Sequence, residues 1–130
     1  MSFSDYAEAK ILDHITGKAS FTMPTAYVAL FVGDPLDTGA GGAEVSGSNY
    51  SRVTTSASDW ASAASGATSN AVAITFPIAS GSWGTVDYFA LYDASTAGNL
   101  LAAGALTSGE AVGSGDVPSF AIGDLDITLD

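Results

Sequence analysis

The chain has 130 residues, 47% of them hydrophobic, with no cysteine and a net charge of −11 from 14 acidic and three basic side chains. That length suits one packed domain, and the missing thiols exclude disulfides, thiolate metal sites and cysteine nucleophiles. With only Lys10, Lys18 and Arg52 to meet phosphates, direct contact with DNA or RNA is not expected. No apolar run reaches the ~18 residues of a membrane span and the start MSFSDYAEAK lacks the pattern of an export signal, so neither a membrane partner nor export is expected.

Residues 1–18 carry helical spacing. Phe3, Ala7, Ile11 and Ile15 recur at i, i+4, i+8 and i+12; Asp5 with Glu8 three residues on forms a capping-box pattern, and Gly17 followed by Lys18 suits a C-terminal end. So short a helix is marginal alone in water, so its apolar face needs a surface, either its own core or a neighbouring subunit.

Beyond residue 20 the period changes to two. TAYVALFV (25–32) is apolar on both faces, as a central strand is, and AVAITF (71–76) alternates Val72, Ile74 and Phe76 with smaller residues. TVDYFALYD (85–93) is rich in aromatic and β-branched residues, NLLAAGAL (99–106) reads as a further strand, and DLDITLD (124–130) alternates Leu125, Ile127 and Leu129 with Asp and Thr. The turn signals DPLDTG, ASGSWG, DASTAGN and TSGEAVGSGD separate these runs. The expected fold is mainly β, an antiparallel sandwich of about six to eight strands with one N-terminal helix, all in a single domain over 1–130. The small, polar stretch 56–70 is expected as a long flexible loop without a domain boundary.

The segment GDPLDTGAGGAEVSGSNYSRV (33–53) looks most like a binding loop. It contains neither GxGxxG nor GxxxxGK, and its glycines run into turn-like and strand-like sequence with no helix following, so a phosphate cradle is not expected. A connecting loop whose tip orders against a partner fits better. Asp34 with Asp37, and Asp124 with Asp126, supply oxygens of the kind calcium takes, but neither pair sits in an EF-hand-like loop. No metal and no cofactor is expected. A Ser-His-Asp relay would have to use His14, the only histidine, and there is no GxSxG elbow, so no catalytic residue is assigned and the protein is expected not to be an enzyme. Trp60 and Trp83 are the stacking platforms a carbohydrate-binding module would use; Trp83 is instead expected to plug the end of the sandwich at a strand start.

The start MSFSDYAEAKILDHITGK, the strand TAYVALFVGDP, the segment EVSGSNYSRV, and the closing WGTVDYFALYDASTAGNLL with FAIGDLDITLD together resemble a family of small structural proteins of tailed bacteriophages and prophages, often labelled phage tail-fibre-like proteins. The resemblance covers nearly the whole chain and implies a virion component, made in the bacterial host cytoplasm, with no catalytic residues to carry over. One compact acidic module leaves no room for both a fibre shaft and an attachment domain. The expectation is therefore a capsid decoration protein on the outer surface of the head, bound to the major capsid protein or other virion subunits, and a homo-oligomer, with a trimer as one form. The alternative is a tail or tail-fibre accessory protein that touches the host. Phe3, Tyr6, Ile11 and Ile15 of the helical segment, and Glu44, Tyr50 and Arg52 of the loop region, are the expected subunit-contact residues.

Overall fold

The computed structural model describes residues 2–129. In chain order the elements are β1 (Ser2–Phe3), α1 (Asp5–Ile15), β2 (Tyr27–Val32), β3 (Ala43–Glu44), β4 (Val53–Thr54), a 3-10 turn (Ala57–Asp59), β5 (Ala67–Ser69), β6 (Ile74–Thr75), β7 (Gly84–Tyr92), β8 (Leu100–Val112), β9 (Ser119–Phe120) and β10 (Asp126–Thr128). The fold is β-rich with one N-terminal helix, as the patterning predicts. One six-stranded sheet runs in the order β1-β8-β7-β2-β3, with β4 also on β2, and β10-β5 and β6-β9 form two separate ribbons. Every pairing between these strands is antiparallel.

The two faces of the sheet are covered differently, and the side-chain alternation of its strands shows why. Val28 and Leu30 of β2, Val86, Phe89 and Leu91 of β7, and Leu101 and Val112 of β8 point to one face, where Ile74, Phe76, Trp83 and Leu125 complete a large buried cluster. The two ribbons therefore form the second layer on that face. Phe120 of β9 meets both Phe76 and Phe89 edge to face, at 6.3 and 6.0 Å between ring centroids.

The opposite face carries a smaller cluster of Ala29, Phe31, Ala90, Tyr92, Leu100 and Ala103. The glycine-rich loop after β2 turns back towards this face: a Cβ on Gly39 would stand 3.5 Å from Leu100 Cβ. Small residues in the middle of the face let backbone approach closely. Gly42 is obligatory in this loop, since it has a φ of 58° and a Cβ there would come within 2.5 Å of the Gly33 carbonyl oxygen.

Several boundaries differ from those the sequence predicts. The helix is capped by Ser4 rather than Asp5; the Ser4 hydroxyl accepts from Ala7 N–H at 3.1 Å and donates to the Leu100 carbonyl, and its own N–H donates to Leu101 O at 3.0 Å. One buried serine thus caps the helix and fastens it to β8. Gly17, with a φ of 75°, ends the helix as expected.

The run 71–76 yields only β6; Ile74 and Phe76 are buried as the alternation predicts, but Val72, before the strand begins, is 39% exposed. β8 continues to Val112, through residues that read as a turn, because Val86 pairs with Glu110 while Tyr88 pairs with Ala105. The residues 106–109 between them form a bulge that lets the strand resume. The stretch 56–70, expected as a flexible loop, carries hydrogen-bonded structure. Asp59 accepts from Ser56 N–H at 2.7 Å, Trp60 bridges Asn70, and Ala64 and Ala67 exchange backbone bonds around Ser65-Gly66. Both turn residues have positive φ, 53° and 77°, the geometry of a tight hairpin. Ser65-Gly66 is the one local turn signal in a run of Ala, Ser and Thr; the anchor is Asn70, whose buried amide donates to Val72 O and Ala121 O and accepts from Leu125 N–H.

Candidate functional site

The structure brings together three of the seven expected contact residues, and a fourth, Tyr6, lines one hollow with Arg52. Glu44 on β3, with Tyr50 and Arg52 just before β4, form one network. Arg52 Nε lies 2.7 Å from Glu44 Oε1 and Nη2 lies 2.8 Å from Oε2, a two-pronged carboxylate contact. Arg52 Nη1 donates to the carbonyls of Ala94 and Ala97, both at 2.8 Å, and the guanidinium lies 3.8 Å over the Tyr92 ring. The Tyr50 hydroxyl donates to Glu44 Oε1 at 2.9 Å and accepts from Leu30 N–H at 3.0 Å, while its ring meets Trp83 edge to face at 5.3 Å.

These contacts use the groups inwardly. The Arg52 side chain is only 5% exposed and that of Glu44 27%, and the pair ties the 94–97 turn to the strands β3 and β4. Burial pushes the Tyr50 hydroxyl well above the usual phenol range, with the Glu44 charge adding to it and the Leu30 N–H opposing. Burial likewise raises Tyr92, against the opposing pull of the Arg52 charge. For Arg52 burial disfavours the charge, but the bond to Glu44 and its negative charge more than offset this, and the guanidinium is held above its ordinary value.

The other four contact residues lie on β1 and α1. Phe3, Tyr6 and Ile11 are half-buried, Tyr6 packing against the large cluster with Lys10 Nζ 5.6 Å from its ring centre, whereas Ile15 is 71% exposed. Ala7 is the one residue of α1 that is fully buried. The predicted apolar stripe therefore docks at its start and leaves the sheet towards its end. Leu12, which the stripe does not include, is 58% exposed on the same outer half.

Most of the remaining groups weighed from sequence are engaged within the chain. His14 Nδ1 accepts from Phe21 N–H at 3.1 Å, closing the turn after the helix. Asp34 Oδ1 accepts from Leu36 N–H and Asp124 Oδ2 from Ala121 N–H, both ordinary turn closures. Trp83 is buried, with Nε1 donating to Ser48 O at 2.9 Å, which is the expected plug at the start of β7; Trp60 Nε1 donates to Thr55 Oγ1. No group of three His, Cys, Asp or Glu that could hold a metal ion occurs among the described residues. A hollow of about 540 Å³ lies beside the network, and its polar lining is partly committed already, Arg52 to Glu44 and Asn99 to Asp93.

Two features were not legible in the sequence. Tyr92 reads as one more strand aromatic until Arg52 is found stacked on it, and no local pattern marks Asn70 as a buried anchor. Among known proteins, the family model described as Podophage GP4 fiber I protein gp80 matches residues 2–128. No curated protein matches the chain.

Proposed function

The chain belongs to the podophage GP4 fiber I protein gp80 family and is a fibre-related structural component of a phage virion, and from that premise we propose that it is a non-enzymatic tail-fibre accessory protein whose exposed surfaces bind other virion subunits. The observation that carries this reading is the family match over residues 2–128, nearly the whole chain. It replaces the expectation of a capsid decoration protein, which rested on size: one small module cannot supply both shaft and attachment domain. A module that joins other fibre subunits need not supply both. The network around Arg52 supports a structural role, because it spends the only arginine on rigidity. The tryptophans favour no glycan platform, since Trp83 is buried and Trp60 is half-buried and packed against the large cluster.

Immunogold electron microscopy of purified particles, with antibody to this protein, tests the location. Gold confined to the tail, at few copies per particle, is the expected result; gold spread evenly over the heads would overturn the fibre reading and restore the decoration one.

A further inference from the structure

We propose that the hollow between the start of α1, the 37–39 loop and the 97–99 turn is a binding site for a neutral saccharide. At about 540 Å³ it falls within the ~300–1,000 Å³ that sites for small molecules occupy. Its walls are fixed to the rest of the fold and to one another. Asp5 N–H donates to Asp37 O at 3.1 Å and joins the loop to the helix, Ser4 fastens the helix to β8, and Arg52 holds the turn through the Ala94 and Ala97 carbonyls. A site held in this way needs little ordering when a ligand arrives.

Tyr92 is the residue that points to a ligand. It lines the hollow and is only 8% exposed, yet its hydroxyl makes no hydrogen bond among the described residues. The ring itself is engaged, with Phe31 parallel to it at 6.2 Å between centroids and the Arg52 guanidinium 3.8 Å above it. Among the described residues no side-chain oxygen is both sealed from solvent and unbonded, so the Tyr92 hydroxyl still reaches solvent, and the hollow is the opening it lines. Burial keeps this phenol protonated well past neutral pH, so it can donate as well as accept.

Its neighbours in the lining have hydrogen-bonding capacity left over. Asn99 commits its backbone N–H and its Nδ2 to Asp93, at 2.7 and 2.8 Å, which orients the amide and leaves Oδ1 as an acceptor. The Tyr6 hydroxyl and the Asp5 carboxylate have no partner among the described residues, and the Thr38 hydroxyl, which accepts from Ala40 N–H at 3.3 Å, keeps its proton to donate. Donors and acceptors are therefore mixed around one hollow. Sugar hydroxyls, each able to donate and to accept, match such a mixture. Recognition of this kind uses hydrogen bonds and not ring stacking, so it makes no call on Trp60 or Trp83.

Charge narrows the class. Asp5 and Asp37 in the lining, on a chain of net charge −11, repel an anion. The Arg52 guanidinium and the positive end of α1, where Ser4 caps it, stand in the same lining and oppose a cation. A neutral polyhydroxyl ligand meets neither penalty.

Sugar binding goes beyond the fibre reading and does not rest on it, since location is read on particles and binding on the purified chain. Saturation-transfer NMR on the full chain tests it, with glucose, galactose, mannose, rhamnose and N-acetylglucosamine as probes. At least one is expected to bind with a Kd of about 1–10 mM. Tyr92→Phe removes only the unpartnered hydroxyl and keeps the ring under Arg52, so it should weaken that binding about five- to tenfold with an unchanged melting temperature. Thr38→Val, on the exposed loop, is a second variant expected to weaken it without touching the core. Glucosamine and glucuronate, hexose rings with a positive and a negative charge, should both bind more weakly than the best neutral probe. No transfer to any neutral sugar at about 50 mM, equal binding by the wild type and Tyr92→Phe, or a preference for either charged ring would each overturn the assignment.

Discussion

The Arg52 network and the outer half of α1 were both read from sequence as contact surfaces, and the structure treats them in opposite ways. Around Arg52 a charged, an acidic and a phenolic side chain are drawn inward until nearly every polar group has a partner. Along α1 two large aliphatic side chains stand in water. The residue types alone would assign the roles the other way. Polar groups at an irregular edge are needed to close that edge, whereas an apolar helix face left over after the core is filled has no internal use.

The largest effect should come from breaking the network. Arg52→Ala leaves Glu44 without its cation, frees the Ala94 and Ala97 carbonyls and uncovers Tyr92, so unfolding stability in urea should fall by about 2–4 kcal/mol, below the loss of a fully buried pair because Glu44 is partly solvated. Arg52→Lys should recover only part, because an ammonium cannot reproduce the two-pronged contact or the flat stacking. A loss within experimental error for Arg52→Ala would show that the network is surface decoration and would erase the contrast with α1.

Tyr50→Phe should cost less, about 1–3 kcal/mol, by stranding the Leu30 N–H and removing one donor from Glu44. Its second consequence is in the pH profile. The folded state holds the Tyr50 and Tyr92 protons more tightly than the unfolded chain does. Their contribution is thus fully present below the unfolded phenol value of about 10 and is lost as pH rises beyond it, by up to about 1.4 kcal/mol per pH unit for each tyrosine. Urea midpoints at rising pH should fall above about pH 10 in the wild type, and less steeply in Tyr50→Phe. Equal slopes would mean that burial at Tyr50 does not control its proton.

How much of this was legible follows the same contrast. The strands around Val28 and Phe89 were readable from apolar, aromatic and β-branched runs, and those at Ile74 and Leu125 from period-two alternation, although Val72 and Leu129 of the same alternations stay exposed. The hairpin at 60–70 was not, since its hold comes from the Asn70 amide and from positive φ at Ser65 and Gly66, neither of which leaves a hydrophobic pattern. The extension of β8 past Leu106 was hidden by a bulge whose residues, Thr107, Ser108 and Gly109, look like a turn. At the site, the proximity of Glu44, Tyr50 and Arg52 in sequence made them stand out as a group. Their inward use depends on Tyr92 and the Ala94 and Ala97 carbonyls, about 40 residues further along, as expected where long-range contacts decide the outcome.

The smallest expected effect is the most discriminating. Ile15→Asp removes no buried contact, so at dilution its unfolding stability should lie within about 1 kcal/mol of the wild type, the cost of a negative charge at the helix C-terminus included. At higher protein concentration the two should part if the subunit contact expected of α1 is one between copies: an oligomer that binds only the folded chain raises the wild-type melting temperature as concentration rises, and the variant should lose that dependence. A large loss at dilution would place Ile15 in the internal core, and the helix would then belong with the Arg52 network as framework. Equal stability at every concentration would leave the exposed stripe without a role in self-association. Only the first pattern, silent when dilute and diverging when concentrated, keeps the two regions as different as their burial makes them.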